Sequence, residues 1–218
     1  MNATTPKQFM EIDGESVLLH SMLAFEKHPL IHGIYVVCMP EWESIVLNEV
    51  TRGGISKFAG TIGAGESCFA SARNGIQYLQ GKLSPDDLVM VHDAVRPLVT
   101  QDVISRNIAV CLTHGNAVTA LESHEAYLVA KDGCQASDVL PREGLLRAQT
   151  PITFPISSLS RMLQLAEERG ISESQSLVTL AGELDIMPMH VAQGDLRNFK
   201  ITEQADILIY RALKMLEE

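Results

Sequence analysis

An aspartate and an arginine three residues apart, Asp93 and Arg96, stand just past the apolar run Leu88-Val89-Met90-Val91, in the stretch His92-Asp93-Ala94-Val95-Arg96-Pro97. A short apolar run introduced by Ser84-Pro85-Asp86-Asp87 and closed by a proline reads as a buried parallel strand. In an open α/β sheet, ligands bind just beyond the C-terminal ends of the strands. Placed there, Arg96 can fork onto a phosphate, and Asp93 can accept from hydroxyls or face a metal. The pair therefore suits a phosphorylated, hydroxyl-rich substrate. A bare Asp-x-x-Arg also fits a solvated ion pair at a strand end.

Four further stretches could carry chemistry. Pro6-Lys7-Gln8-Phe9 is a short basic turn ahead of a helix, and a lysine placed by a rigid proline can reach a triphosphate. Gly63-Ala64-Gly65-Glu66-Ser67 follows a strand and opens a helix, with Ser71-Ala72-Arg73-Asn74-Gly75 in its first turns. Small residues there let backbone approach a ligand, and a helix N-terminus favours polar or anionic groups. Arg147-Ala148-Gln149-Thr150-Pro151 ends a strand with a hydroxyl and a proline. Asp195-Leu196-Arg197-Asn198-Phe199-Lys200-Ile201-Thr202 joins a strand to the last helix, where Thr202, Glu203 and Asp206 have the look of a helix start. Taken singly, each also fits a bland role: a surface lysine, an ordinary turn, a strand terminus and a capping loop.

The elements that must position these residues alternate. Helical periodicity covers 16–27, 41–51, 66–80, 101–113, 155–168, 175–181 and 202–216. Strand patterns cover 34–39, 57–62, 88–91, 116–121, 126–131, 145–149 and 187–191. Such alternation implies βαβ units and a mainly parallel sheet flanked by helices, a Rossmann-like α/β fold. Between Leu121 and Leu145 the helices stop. That stretch, with Lys131-Asp132-Gly133 as a turn, reads as a β-arm leaving the body over 123–142. The whole chain, 1–218, reads as one domain.

The chain has 218 residues, of which 46% are hydrophobic and 20% charged, enough for a full core. Its net charge of −10 argues against nucleic acid and anionic membrane as partners. A negative protein that takes a negative ligand must gather its lysines and arginines in one cleft, and the ligand is expected to bring a divalent cation. The cysteines Cys38, Cys68, Cys111 and Cys134 have neither CxxC spacing nor a histidine at metal-ligand spacing, so no protein-held metal is expected. A reduced, cytoplasmic protein is the simplest inference. No signal peptide and no membrane span are visible.

In order and spacing, Pro-Lys-Gln-Phe, Gly-x-Gly-Glu-Ser with Ser-x-x-Asn-Gly, Val-His-Asp-Ala-Val-Arg-Pro, Gln-Thr-Pro and Asn-Phe-Lys-Ile-Thr run through the whole chain. This resembles the polyol-phosphate cytidylyltransferases, which include 2-C-methyl-D-erythritol 4-phosphate cytidylyltransferase of isoprenoid synthesis and ribitol-5-phosphate cytidylyltransferase of wall-polymer synthesis. The resemblance implies a nucleotidyltransferase fold and a reaction joining CTP to a polyol phosphate, with Mg2+, to give a CDP-polyol and pyrophosphate. It implies catalytic roles for Lys7 and Lys200 on the CTP phosphates, and nucleotide reading by Ala64, Gly65, Glu66 and Ser71. Asp93, Arg96 and Thr150 fall at substrate positions, as do Ser123 and Ser172. Arg142 falls where an arginine crosses to the partner in a homodimer built through the arm. Of the two substrates, methylerythritol phosphate is the first expectation and ribitol 5-phosphate the alternative.

The resemblance departs in places. The family's opening strand and Gly-rich loop are not seen, and Met1 matches the loop's final methionine. That leaves a misplaced start, a truncated chain or an inactive copy as expectations. Cys68 replaces an arginine, Ile152 a glutamine, Glu122-Ser123 an Asp-Thr and Ser172-Glu173 a Thr-Asp. Two rivals stay open: a related sugar nucleotidyltransferase using another nucleotide, and a non-catalytic nucleotide- or polyol-phosphate-binding protein.

Overall fold

Apolar residues at alternate positions of strands, and at helical spacing between them, build the layers. A computed structural model of the chain describes residues 6–130 and 132–215. The expectation for Met1 lies outside them. The chain opens with a turn of 3₁₀ helix, Lys7–Phe9, and a minimal hairpin of β1 (Glu11–Ile12) and β2 (Glu15–Ser16). Asp13 and Gly14 between them both have positive φ, 55° and 85°, as an Asp-Gly hairpin turn requires. This hairpin was not expected, although Asp-Gly is the same signal that marks the arm. Then follow α1 (Val17–Glu26), β3 (Ile34–Cys38), α2 (Glu43–Gly53), β4 (Phe58–Gly63), α3 (Cys68–Gln80), β5 (Leu88–Val91), α4 (Gln101–His114) and β6 (Ala117–Glu122). After the arm strands β7 (Tyr127–Val129) and β8 (Asp138–Leu140) come β9 (Leu146–Pro155), α5 (Ile156–Glu168), α6 (Leu177–Glu183), β10 (Val191–Gln193) and α7 (Gln204–Lys214). Ser16, Ser67, Thr100 and Ser176 each accept a backbone N–H at the start of a helix, which stops those helices where the sequence places a hydroxyl.

The α/β architecture is as expected, but the sheet is mixed. Its hydrogen-bonded order is β10-β6-β9-β5, with β10 and β6 parallel and β9 antiparallel to both its neighbours. A parallel return needs a crossover helix. The arm occupies the connection from β6 to β9, so β9 comes back reversed, while β5, β6 and β10 share one direction. β3 and β4 form a separate parallel pair. The last strand also differs: 187–191 looks extended, but pairing with β6 begins only at Val191. Pro188 has no N–H to give a ladder, and the His190 N–H is taken by the Asn116 side chain at 2.8 Å.

Both sheet faces are covered, which is why β5 reads as an unbroken apolar run. Val89 and Val91 pack with Phe69 and Ile76 of α3 and Leu159 and Met162 of α5. Leu88 and Met90, pointing the other way, pack with Val103, Ile104 and Ile108 of α4 and Phe25 of α1. A third cluster, Ile12, Val17, Ile201 and Tyr210, clamps α7 over the turn beyond β5, with Val95 and Leu98 against it. The arm shares none of this. Tyr127, Leu128, Val139 and Leu140 all face solvent.

Candidate active site

At the end of β5 the chain makes a tight turn in which the Arg96 N–H donates to the Asp93 carbonyl at 3.0 Å. Arg96 Nε then reaches Asp93 Oδ2 at 3.0 Å, and its Nη1 donates to the Asn198 carbonyl at 2.9 Å. Lys200 Nζ stands 3.3 Å from the same Asp93 oxygen. Burial opposes ionisation of Asp93. The Lys200 and Arg96 charges outweigh it and hold the carboxyl below the usual range. The arginine side chain is only 12% exposed and the aspartate 31%, so the pair is largely withdrawn from solvent and is not a fully solvated surface bridge.

Thr150 arrives through a bulge. Along β9, Ile152 pairs with Val118 and Gln149 with Thr119, leaving Thr150 and Pro151 outside the ladder. Their carbonyls are satisfied by buried side chains. Asn107 of α4 and the Thr119 hydroxyl donate to Pro151 at 2.9 and 2.7 Å, and Asn198 Nδ2 donates to Thr150 at 2.7 Å. The bulge turns the Thr150 hydroxyl toward β5, where it accepts the Asp93 N–H at 3.0 Å and meets His92 Nδ1 at 3.2 Å.

The two lysines come from opposite ends of the chain. Lys7, on the turn set by Pro6, donates to the carbonyl of Thr202. That carbonyl is fixed because Asp206 accepts the N–H groups of Thr202 and Glu203 at 2.6 and 2.8 Å, a capping box at the start of α7. Lys200 lies two residues earlier and faces Asp93. The structure thus brings Lys7, Asp93, Arg96, Thr150 and Lys200 to one end of the sheet.

The other expected residues lie in separate places. At the mouth of α3 the Gly65 N–H donates to Ser71 Oγ at 3.1 Å, Ala64 donates to the Cys38 carbonyl at 2.9 Å, and Glu66 projects into solvent. A Cβ on Gly65 would come within 2.4 Å of Ala70 Cβ, so the glycine is required by close packing. Ser172, in the loop after α5, is exposed. Its neighbour Glu173 accepts from Ser67 Oγ at 2.7 Å, which ties this loop to the α3 mouth and not to the Asp93 turn. Ser123 sits at the root of the arm, its N–H on the Leu145 carbonyl at 3.0 Å. Arg142 is exposed on the arm, with Nη1 3.4 Å from the His124 carbonyl. Among the described residues, no hydrogen bond or ion pair connects Arg142 to the Asp93 cluster. Sequence reasoning assigned no part to His92 or Asn198, although both stand inside the quoted motifs. A polar residue at the end of an apolar run, or beside a candidate lysine, was the available signal.

Residues 1–216 match the family model for 2-C-methyl-D-erythritol 4-phosphate cytidylyltransferase. The chain belongs to this family. It is therefore a nucleotidyltransferase of the cytidylyltransferase kind. Among curated relatives, it is 29% identical over 208 residues to ribitol-5-phosphate cytidylyltransferase of Streptococcus agalactiae serotype Ia, covering 95% of this chain and 87% of that one. It is 31% identical over 216 residues to 2-C-methyl-D-erythritol 4-phosphate cytidylyltransferase of Geotalea uraniireducens, covering 97% and 90%. A crystal structure of 4-diphosphocytidyl-2C-methyl-D-erythritol synthase superposes with a TM-score of 0.82 at 27% identity, covering 95% of this chain and 94% of the other. The Francisella tularensis enzyme, at 22% identity and a TM-score of 0.81, shares the fold.

Membership in the cytidylyltransferase family agrees with the electrostatics of the cluster. Lys7, Arg96 and Lys200 are gathered at one end of a chain of net charge −10. Among the described residues, no three His, Cys, Asp or Glu side chains converge as a metal cluster, and no helix is long and apolar enough to cross a membrane.

Proposed function

We propose that this chain transfers the cytidylyl group of CTP to a polyol phosphate, 2-C-methyl-D-erythritol 4-phosphate as the first reading, and releases pyrophosphate. The carrying observation is the Arg96–Asp93–Lys200 cluster at the end of β5, where one carboxylate and two cations face each other within 3.3 Å. In this reading Arg96 and Asp93 take the phosphate and hydroxyls of the polyol. Lys200 and Lys7 neutralise the triphosphate. A phosphate oxygen of the polyol attacks the α-phosphorus of CTP, the new P–O bond forms, and the bond to the β-phosphate breaks. Such transfer depends on positioning and electrostatics more than on covalent help from the protein. Ala64, Gly65, Glu66 and Ser71 at the α3 mouth read the cytosine, with Ser172 nearby. Ser123 and Arg142 of the exposed arm serve the site of a symmetric partner in a homodimer.

Mg2+ fits as an ion carried by the nucleotide. Magnesium is commonly held by one or two carboxylates together with substrate phosphates. Asp93 is already paired with Arg96 and Lys200, so the CTP phosphates would supply most of the ligands. When bound, the ion would neutralise phosphate charge.

Ribitol 5-phosphate is the second reading. Glu122-Ser123 departs from the usual Asp-Thr, and relatives that carry the ribitol name match at nearly the same identity as those that carry the erythritol name. Pyrophosphate release should be followed with CTP against both polyol phosphates, with and without EDTA. Turnover with methylerythritol phosphate at higher kcat/KM supports the first reading, and a reversed preference supports the second. CTP binding without turnover on either would leave a binding protein. Equal turnover with ATP would end the cytosine assignment.

A further inference from the structure

His92 has no part in the expected chemistry, yet its ring lies directly behind the residues that do. Its Nε2 is 3.1 Å from the Arg96 carbonyl and its Nδ1 is 3.2 Å from the Thr150 hydroxyl. A carbonyl only accepts, so Nε2 carries the hydrogen. In the neutral ring Nδ1 is then the acceptor, and the Thr150 O–H donates to it. The same hydroxyl accepts the Asp93 N–H. These bonds close a circuit around the turn. The Arg96 N–H holds the Asp93 carbonyl from the front, and His92 holds the Arg96 carbonyl from behind. Thr150 joins the ring to the Asp93 backbone. The imidazole and the Phe25 ring also meet in a T-shaped pair, with centroids 4.9 Å apart.

We propose that His92 is a positioning residue for the reaction: as its Nε2–H tautomer it fixes the Asp93–Arg96 turn against Thr150, and so sets the spacing of the two side chains that receive the polyol phosphate. Burial supports this by keeping the ring neutral, with its pKa lowered to about 4. Asn198 completes the frame. It is fully buried, donates to the Thr150 carbonyl, and accepts Arg96 Nη1 on its own carbonyl. A loosened turn would misplace the Asp93 and Arg96 side chains by a fraction of an ångström to an ångström, which catalysis feels strongly. His92 itself touches no substrate in this arrangement.

This inference rests on the reading that Asp93 and Arg96 hold the polyol phosphate, and the test separates the two. His92→Phe fills the space against Phe25 but offers no hydrogen bond. The expected result is a rise of roughly 10- to 100-fold in KM for the polyol phosphate, with KM for CTP nearly unchanged and a single cooperative melt retained at a somewhat lower temperature. His92→Asn and His92→Gln each retain one of the two bonds and should recover part of the loss. Long-range 1H–15N spectra of the wild type should show a protonated Nε2 and a bare Nδ1, with the Nδ1 resonance shifting in Thr150→Val. A wild-type polyol KM in His92→Phe overturns the proposal, as does a protonated Nδ1. If the wild type turns over no polyol phosphate, the functional reading fails, and the spectra alone decide His92: an Nδ1 resonance indifferent to Thr150→Val rejects it.

Discussion

Arg96 Nε and Lys200 Nζ both reach Oδ2 of Asp93, at 3.0 and 3.3 Å, so a residue assigned to the polyol and a residue assigned to CTP are bonded to each other. If those assignments hold, the two substrate sites are coupled through Asp93. Under the proposed function, a Lys200 that turned to the CTP phosphates would leave Asp93 with Arg96 as its nearer cation, and the carboxylate would become available to hydroxyls. Three substitutions bear on this. Lys200→Ala should lower kcat/KM by tens- to thousands-fold, about 2–4 kcal/mol, the scale found for electrostatic stabilisers of a developing charge. Lys7→Ala should behave alike. Asp93→Asn should weaken the polyol phosphate by more than tenfold while CTP binding tightens, because Lys200 no longer has a competing partner. Calorimetric titration of each ligand decides the matter. If Asp93→Asn loses CTP affinity and keeps the polyol, the two assignments must be exchanged.

Among the described elements, the arm strands β7 and β8 contribute no residue to the core clusters. Leu128 and Val139 sit opposite each other on the hairpin, 63% and 57% exposed, and a two-stranded hairpin is marginal alone in water. A symmetric partner would cover them. Sedimentation at micromolar concentration should therefore give about twice the chain mass of 23.9 kDa. Leu128→Asp with Val139→Asp should give the monomer without lowering the melting temperature, since neither residue belongs to the core. A monomeric wild type would count against the arm as a dimer element. The arm was legible because helices stop between β6 and β9 and Asp132-Gly133 marks a turn. So were β5, α3 and α4, whose patterns are unambiguous over their lengths. The bulge in β9 was not legible, because it depends on Asn107 from α4 and Asn198 from near the chain end, partners that no local window contains. It is the feature that delivers Thr150 to Asp93. Its mixed sheet follows from the same arm: the sequence pattern marked the missing helix, but its consequence for strand direction appears only in the topology. The early hairpin at Asp13-Gly14 was missed because strands of two residues leave no periodicity to read.

For the molecule as a whole, histidines partly or wholly withdrawn from solvent set how it meets acid. Burial lowers the pKa of His92 to about 4 and also lowers those of His20 and His28. In the unfolded chain each titrates near 6.5. Between those values the unfolded state binds protons that the folded state refuses, so stability falls as pH drops through 6.5 and goes on falling until the folded rings accept protons. His92 alone should contribute about 2–3 kcal/mol of loss by pH 4.5. Asp93 has the opposite kind of partner: its pKa is depressed, so its contribution is lost only at lower pH, as its carboxyl protonates. The net charge of −10 works the other way, because protonation relieves self-repulsion. That effect is screened beyond about 8 Å at physiological salt, whereas the buried rings are not. Urea unfolding at 0.15 M salt should therefore show a midpoint that falls steadily from pH 7 to pH 4.5. His92→Gln, which cannot titrate, should lose distinctly less over the same range while starting from a lower midpoint at pH 7. A midpoint flat across this window, or an equal loss in wild type and His92→Gln, would mean that the ring is protonated in the folded protein. The Nδ1–Thr150 bond could not then run in the direction that frames the site.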